Sequence, residues 1–164
     1  MQIQIDSREK AKAITKIIAT FDKCGVSHYI SKLYVGDYMS LDNPRLIIDR
    51  KQNLSEIYSN VCQGHKRFRE ELTRAKQAGI KLIILCEHSR NITCLEDVKE
   101  WYNPRLDKNP YAWSGERLYK TLRTISEKYD VNFLFCTKGE TGKKIIELLG
   151  GKNEWHNKRN HRKS

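Results

Sequence analysis

Apolar positions recur along the chain in two periods. Gln2-Ile3-Gln4-Ile5 alternates polar and apolar, the period of a half-buried strand. From Lys10 to Lys23 the spacing changes: Ala13, Ile14, Ile17, Ile18 and Phe21 fall on one helical stripe, and Gly25 supplies a stop. His28 to Leu33 is rich in β-formers around Tyr29 and Ile30 and reads as a second strand. Tyr34 to Leu41 and Leu46 to Lys51 read as two further strands joined by the turn Asp42-Asn43-Pro44-Arg45. Asn53-Leu54-Ser55-Glu56 has the spacing of a capping box, so Glu56 is expected to cap a short helix, which Gly64 breaks. Lys66 to Ala78 forms the next helix, with Phe68, Leu72 and Ala75 on one face.

Lys81 to Glu87 and Asn132 to Cys136 are short continuous apolar runs, as expected of central strands covered on both faces. Ser114 to Lys128 is a helix with Leu118, Leu122 and Ile125 at core spacing. Thr137 to Glu140 is a second capping box and opens a last helix that Gly150-Gly151 ends. The segment between Glu87 and Ser114 is too long for an ordinary connection and carries one helix, Thr93 to Trp101, before an aromatic stretch. Strands alternating with helices predict an α/β sandwich around a central mixed β-sheet over residues 1–151. Residues 152–164 have almost nothing to bury and read as a basic, disordered tail.

A chain of 164 residues is long enough for one domain with a genuine core. Lys and Arg number 31 against 20 Asp and Glu, and a net charge of +11 favours a polyanionic partner, nucleic acid above all. The five cysteines have no C-x-x-C spacing, so neither disulfides nor a zinc clip is indicated; Cys86 and Cys136 end apolar runs and read as core. No apolar stretch reaches membrane-spanning length and the N-terminus lacks the pattern of a signal peptide, which together predict a cytoplasmic protein.

The chemistry concentrates at Gly36-Asp37-Tyr38 and Asp49-Arg50-Lys51. Pairing the two strands brings Asp37 and Asp49 together, and alternation puts Asp49 and Lys51 on one face with Arg50 on the other. Two close carboxylates repel unless they share a proton or a cation, and oxygen ligands favour a hard ion such as Mg²⁺. A water activated at such an ion beside Lys51 is a nucleophile for phosphodiester hydrolysis. As an isolated pattern, Asp-x-Lys is more readily a solvated strand end.

Gly36-Asp37 followed by Asp49-Arg50-Lys51 resembles the Gly-Asp…(Glu/Asp)-Arg-Lys signature of the XPF family of structure-specific endonucleases, within the PD-(D/E)xK superfamily. Asp6-Ser7-Arg8-Glu9 is similar to that family's opening Asp-x-Arg-Glu. The likeness runs from about Met1 to Gly151 and is nearest the compact single-domain versions of phages. It departs at Asp49, where Glu is usual, and at Ser55, where the family has an acid.

The resemblance implies a restriction-endonuclease-like α/β/α sandwich and an Mg²⁺-dependent DNA endonuclease, with Mn²⁺ able to substitute, acting on branched or junction-containing DNA. It assigns the metal to Asp37 and Asp49 with Asp6 in support, gives Lys51 the attacking water, and leaves Arg50 and Arg8 to bind phosphate or brace the acids. Glu9 is equally a first-turn helix acid or a group near the metal. Glu70 and Glu71 are candidates for an outer acid, of which Glu70 pairs ordinarily with Arg74.

DNA grip is expected from Arg105, Lys108 and Trp113 in the long loop, whose aromatics either stack on bases or pack the loop down. Lys158 and Arg159 in the tail either hold phosphate or are a solvated end. Relatives dimerise through later helices, which makes the 114–128 helix the candidate surface for a homodimer. The competing readings are a catalytically inactive DNA-binding module of the same fold, kept open by Ser55, and a nuclease that reads sequence rather than structure.

Overall fold

Strand β4 (Asn43–Lys51) crosses the middle of the sheet and shows how the fold is built. In the computed structural model, which describes residues 1–150, the other elements are β1 (Gln2–Ile5), α1 (Thr15–Lys23), β2 (Ser27–Ile30), β3 (Tyr38–Ser40), α2 (Leu54–Cys62), α3 (His65–Gln77), β5 (Lys81–Glu87), α4 (Gly115–Tyr129), β6 (Asn132–Cys136) and α5 (Thr141–Gly150). The strands form one sheet of order β2-β1-β3-β4-β5-β6. β1 is parallel to β2, and β4, β5 and β6 are mutually parallel, while β3 runs against both β1 and β4. The predicted mixed sheet is therefore present, with helices on both faces.

The pleat divides the apolar runs between two cores. Ile47, Leu82, Ile84 and Cys86 face one cluster with Leu54, Ile57, Phe68, Leu72, Leu118 and Leu122 from α2, α3 and α4. Ile48, Ile83 and Leu85 face the other, against Ile17 and Phe21 of α1 and Ile145 and Leu149 of α5. Continuous apolar sequence in β5 is what a strand needs when both of its faces are covered.

Several expected boundaries move. β3 starts at Tyr38 rather than Tyr34, because Gly36 adopts φ +68°, a left-handed value that ends strand geometry. Its link to β4 is Leu41-Asp42 alone; Pro44 and Arg45 belong to β4, in a stretch where the register shifts after Met39 and no ladder N–H is demanded of proline. β2 stops at Ile30, after which the Ser31 N–H bonds to the Ile5 carbonyl at 3.0 Å and the chain turns over the end of β1. The first helix is split into a 3-10 turn, Ala11–Ile14, and α1.

The helix expected over 93–101 is instead a 3-10 turn at Leu95–Glu100, followed by another at Pro104–Asp107. This segment is short and meets the domain through few apolar side chains, chiefly Val98 and Trp101, so tertiary contacts rather than helical periodicity set its shape. Its anchor is Asn103, fully buried, whose Nδ2 donates to the Trp113 carbonyl at 2.9 Å and whose Oδ1 accepts from the Arg105 N–H at 3.1 Å. Both expected capping residues do cap. Asn53 Oδ1 accepts from the Glu56 N–H at 2.9 Å, and the Thr137 and Glu140 box closes at the entry to α5.

Candidate active site

Alternation along β4 sends Asp49 and Lys51 to the α2–α3 side and Arg50 to the α1–α5 side, each buried. Asp37 reaches the same place from the turn before β3. Its N–H donates to the Ile48 carbonyl at 2.8 Å, and its Oδ2 accepts from the Arg50 N–H at 2.7 Å, which locks its carboxyl against β4. The carboxyls of Asp37 and Asp49 meet there. Burial first, then the charge of Asp49 and that of Glu9, hold Asp37 well above the usual carboxylate range.

Lys51 Nζ lies 3.3 Å from Asp49 Oδ2, an ion pair that lacks hydrogen-bond geometry and leaves that buried oxygen without a donor. Burial would lower the Lys51 ammonium, but Asp49, Glu71, Glu56 and Asp37 outweigh it and the group is held above its ordinary value. Its stem lies near Phe68, with the nitrogen 5.9 Å from the ring centroid.

Glu71 of α3 joins from across the groove. Its Oε1 accepts from the Gly36 N–H at 3.2 Å, and burial together with Asp49 raises its carboxyl. The Gly36 turn leaves no room for substitution: a Cβ there would come within 2.5 Å of Ile47 Cγ2 and 3.1 Å of the Ile48 carbonyl oxygen.

Asp6 adjoins this pair through the backbone, its N–H donating to the Asp37 carbonyl at 2.8 Å. Its Oδ1 accepts from the Leu33 N–H at 2.8 Å, and its Oδ2 accepts from Arg8 Nε at 2.6 Å and the Arg8 N–H at 3.1 Å. Burial pushes its carboxyl up, yet those donors win and hold it below the ordinary value. Its carboxyl thus ties Arg8 and the 31–35 loop together at the edge of the site.

The Arg50 guanidinium is turned to two acids. Its Nε donates to Glu9 Oε2 at 2.7 Å and its Nη1 to Glu87 Oε1 at 3.2 Å, while Tyr38 Oη donates to Glu9 Oε2 at 2.7 Å. Glu9 is therefore fixed behind Asp37 on the α1–α5 side. Arg8, 60% exposed at its side chain, remains accessible.

A scan against family models matches the ERCC4 domain over residues 5–161. The chain belongs to the ERCC4-domain family. XPF from Aeropyrum pernix superposes with a TM-score of 0.67 at 18% identity, covering 98% of this chain and 69% of that one. A structure of XPF from Aeropyrum pernix in complex with DNA gives 0.64 at 19% identity, covering 91% and 63%. No curated protein matches in sequence.

The donor set of this ERCC4 domain fits a hard divalent cation. Among the described residues no three His, Cys, Asp or Glu side chains enclose an ion. Mg²⁺, however, is commonly held by one or two carboxylates together with waters and substrate phosphates. A buried carboxylate oxygen without a donor, facing a second carboxyl, is the arrangement such an ion relieves.

Of the two candidate outer acids, Glu71 is the one that reaches the site. The signal available was spacing: Glu71 follows Phe68 by three and precedes Leu72 and Ala75 on the inward face of α3, whereas Glu70 is exposed.

The long loop packs against the domain at Trp113, one of the two uses its aromatics offer. Trp113 packs edge-on against Tyr58 at 5.8 Å, and Arg105 donates to Ser59 Oγ at 2.7 Å while covering the Tyr58 ring. Both are taken up by packing. Lys108, Tyr102 and Tyr111 stay exposed, Tyr111 at 88%. The outward face of α4 carries the exposed side chains of Glu116, Arg117, Lys120, Arg123 and Glu127. Lys158 and Arg159 lie outside the described residues. No described helix is long and apolar enough to cross a membrane, and the five cysteines are free, with the Cys86 thiol pushed up by burial.

Proposed function

We propose that this chain is a divalent-metal-dependent DNA endonuclease, using Mg²⁺ with Mn²⁺ as a substitute, and that its substrates are branched or junction-containing DNA. The observation that carries the reading is the buried pair of carboxyls, Asp37 against Asp49, with the Lys51 ammonium 3.3 Å from Asp49 Oδ2. Asp37 and Asp49 hold the ion. When bound, the cation supplies charge neutralisation at the phosphate and activation of water.

The chain's own groups do the rest. Lys51, kept as an ammonium by its acidic neighbours, donates hydrogen bonds to the attacking water or a phosphate oxygen and orients it, rather than taking its proton. The Arg50 N–H fixes the Asp37 carboxyl, Glu9 holds the Arg50 guanidinium behind it, and Glu71 fixes the Gly36 turn from the side. Arg8, held by Asp6 at the rim, is placed to meet a backbone phosphate. Lys108, Tyr102 and Tyr111 extend the DNA surface along the loop, joined by Lys158 and Arg159 of the tail.

Asp49→Asn tests the assignment. Under saturating Mg²⁺ it is expected to abolish cleavage of a labelled junction panel while DNA binding stays within a few-fold of wild type; cleavage at the wild-type rate refutes the metal role. The reading of the chain as an inactive DNA-binding module rests on Ser55, which lies in the first turn of α2 where the family has an acid. Calorimetric titration with Mg²⁺ separates the two, since a binding module needs no cation at Asp37 and Asp49.

A further inference from the structure

Tyr34 is 63% exposed on the short segment that leads into Gly36-Asp37, beside the candidate active site. The segment is pinned on both sides of it. One residue earlier, the Leu33 N–H donates to Asp6 Oδ1 at 2.8 Å; two residues later, the Gly36 N–H donates to Glu71 Oε1 at 3.2 Å. Val35, between Tyr34 and Gly36, is buried in the core. Tyr34 thus stands on backbone fixed by the acids that surround the candidate active site, and only its ring is free.

Among the described residues, the cation over that ring is Arg74. The Arg74 guanidinium carbon lies 5.8 Å from its centroid, one helical turn beyond Glu71 on α3. Arg74 also lines a basin of about 540 Å³ along α3 with His65, Lys66, Arg69, Thr73 and a single acid, Glu70, apart from the Asp37–Asp49 pair. A basic track therefore reaches an aromatic face at the rim of the acids. Nucleic acid presents the complementary pair of surfaces, phosphates and flat bases, and only an unpaired base has a face to offer.

Resting on the nuclease reading above, we propose that Tyr34, braced by Arg74, stacks on an unpaired nucleobase next to the scissile phosphate and so selects DNA with a single strand at the cut. Base stacking on an aromatic is strong enough that its loss weakens binding roughly 5- to 100-fold.

The full chain is titrated in EDTA against three fluorescent DNAs of one sequence: a blunt duplex, a fork, and the same fork with abasic nucleotides at the unpaired positions beside the branch. Tyr34→Ala is expected to weaken the intact fork by about 5- to 100-fold while leaving the duplex within about twofold, and Tyr34→Phe to bind as wild type. The abasic fork is expected to reproduce the loss in the wild-type chain, and 2-aminopurine placed there to be quenched by wild type but not by Tyr34→Ala. Equal binding of the intact fork by wild type and Tyr34→Ala, an equal loss on duplex and fork, or full affinity for the abasic fork would each overturn the role of Tyr34. Cleavage of the fork by wild type in Mg²⁺ is scored separately. A Tyr34-dependent quench without cleavage retains the stacking site and sinks the nuclease reading, whereas cleavage without the quench does the reverse.

Discussion

Two carboxyls in one poorly hydrated space resist double ionisation, and here the resistance falls on Asp37. Because its folded pKa lies above its unfolded value near 3.8, the folded state binds the extra proton. The associated stability is fully present below the unfolded pKa and is lost as pH rises through the folded one. Metal-free protein is therefore expected to melt at progressively lower temperature as pH climbs from about 4 toward neutrality, over and above any change from other groups. Asp37→Asn should flatten that slope and raise the neutral-pH melting temperature of the metal-free chain, as thermal unfolding in EDTA across a pH series will report. An Asp37→Asn melting curve with the wild-type slope would place the shared proton elsewhere. Binding of Mg²⁺ to the wild type should release a proton, visible as a dependence of calorimetric heat on the buffer's ionisation enthalpy.

Strand β4 does two separate jobs because its faces are separate. One presents Asp49 and Lys51 beside Ile47; the other presents Arg50 beside Ile48, where Glu9 and Glu87 receive it. A single-residue slip would exchange the two sets, so the apolar division of β4 and β5 between two cores also fixes the polarity of the site.

The long loop depends on an equally tight contact at another element. A Cβ on Gly115, at the start of α4, would lie 2.3 Å from the Trp101 carbonyl oxygen and 2.5 Å from that of Val98. These are backbone atoms and cannot rotate aside. Gly115→Ala is expected to cost about 2 kcal/mol, lowering the melting temperature by several degrees. Because α4 contributes no metal carboxylate, affinity for Mg²⁺ at the temperature where the variant is folded should stay as in wild type. An unchanged melting temperature would mean the loop is not seated on α4 as described.

At the scale of the molecule, an acidic centre sits within a chain of net charge +11. Affinity for DNA should accordingly be governed by counterion release, with log K falling linearly against log salt. If about six phosphates are contacted, raising salt from 50 to 200 mM is expected to weaken binding on the order of 10³-fold. Fluorescence anisotropy with a fixed junction measures the slope directly. Affinity that ignores salt would remove the electrostatic argument for a nucleic-acid partner.

How much of this was legible in advance differs by the range of the interaction. Runs such as Lys81–Glu87 and Asn132–Cys136, and the caps at Asn53 and Thr137, declare themselves because the cause lies within a few residues: side-chain period in the first, an orphan backbone donor in the second. The order Gly-Asp then Asp-Arg-Lys carried the pairing of Asp37 with Asp49, since a strand reversal between them forces it. Boundaries at β3 and over 93–101 were not so readable, because Gly36 conformation and the buried Asn103 answer to partners far along the chain. The same holds for the acids and bases. Sequence alone determined that carboxylates and a lysine would share one end of the sheet. Only the tertiary structure decided that Asp6 turns to Arg8, that Arg50 turns to Glu9 and Glu87, and that Glu71 arrives from α3, because each choice depends on which donor is nearest in space.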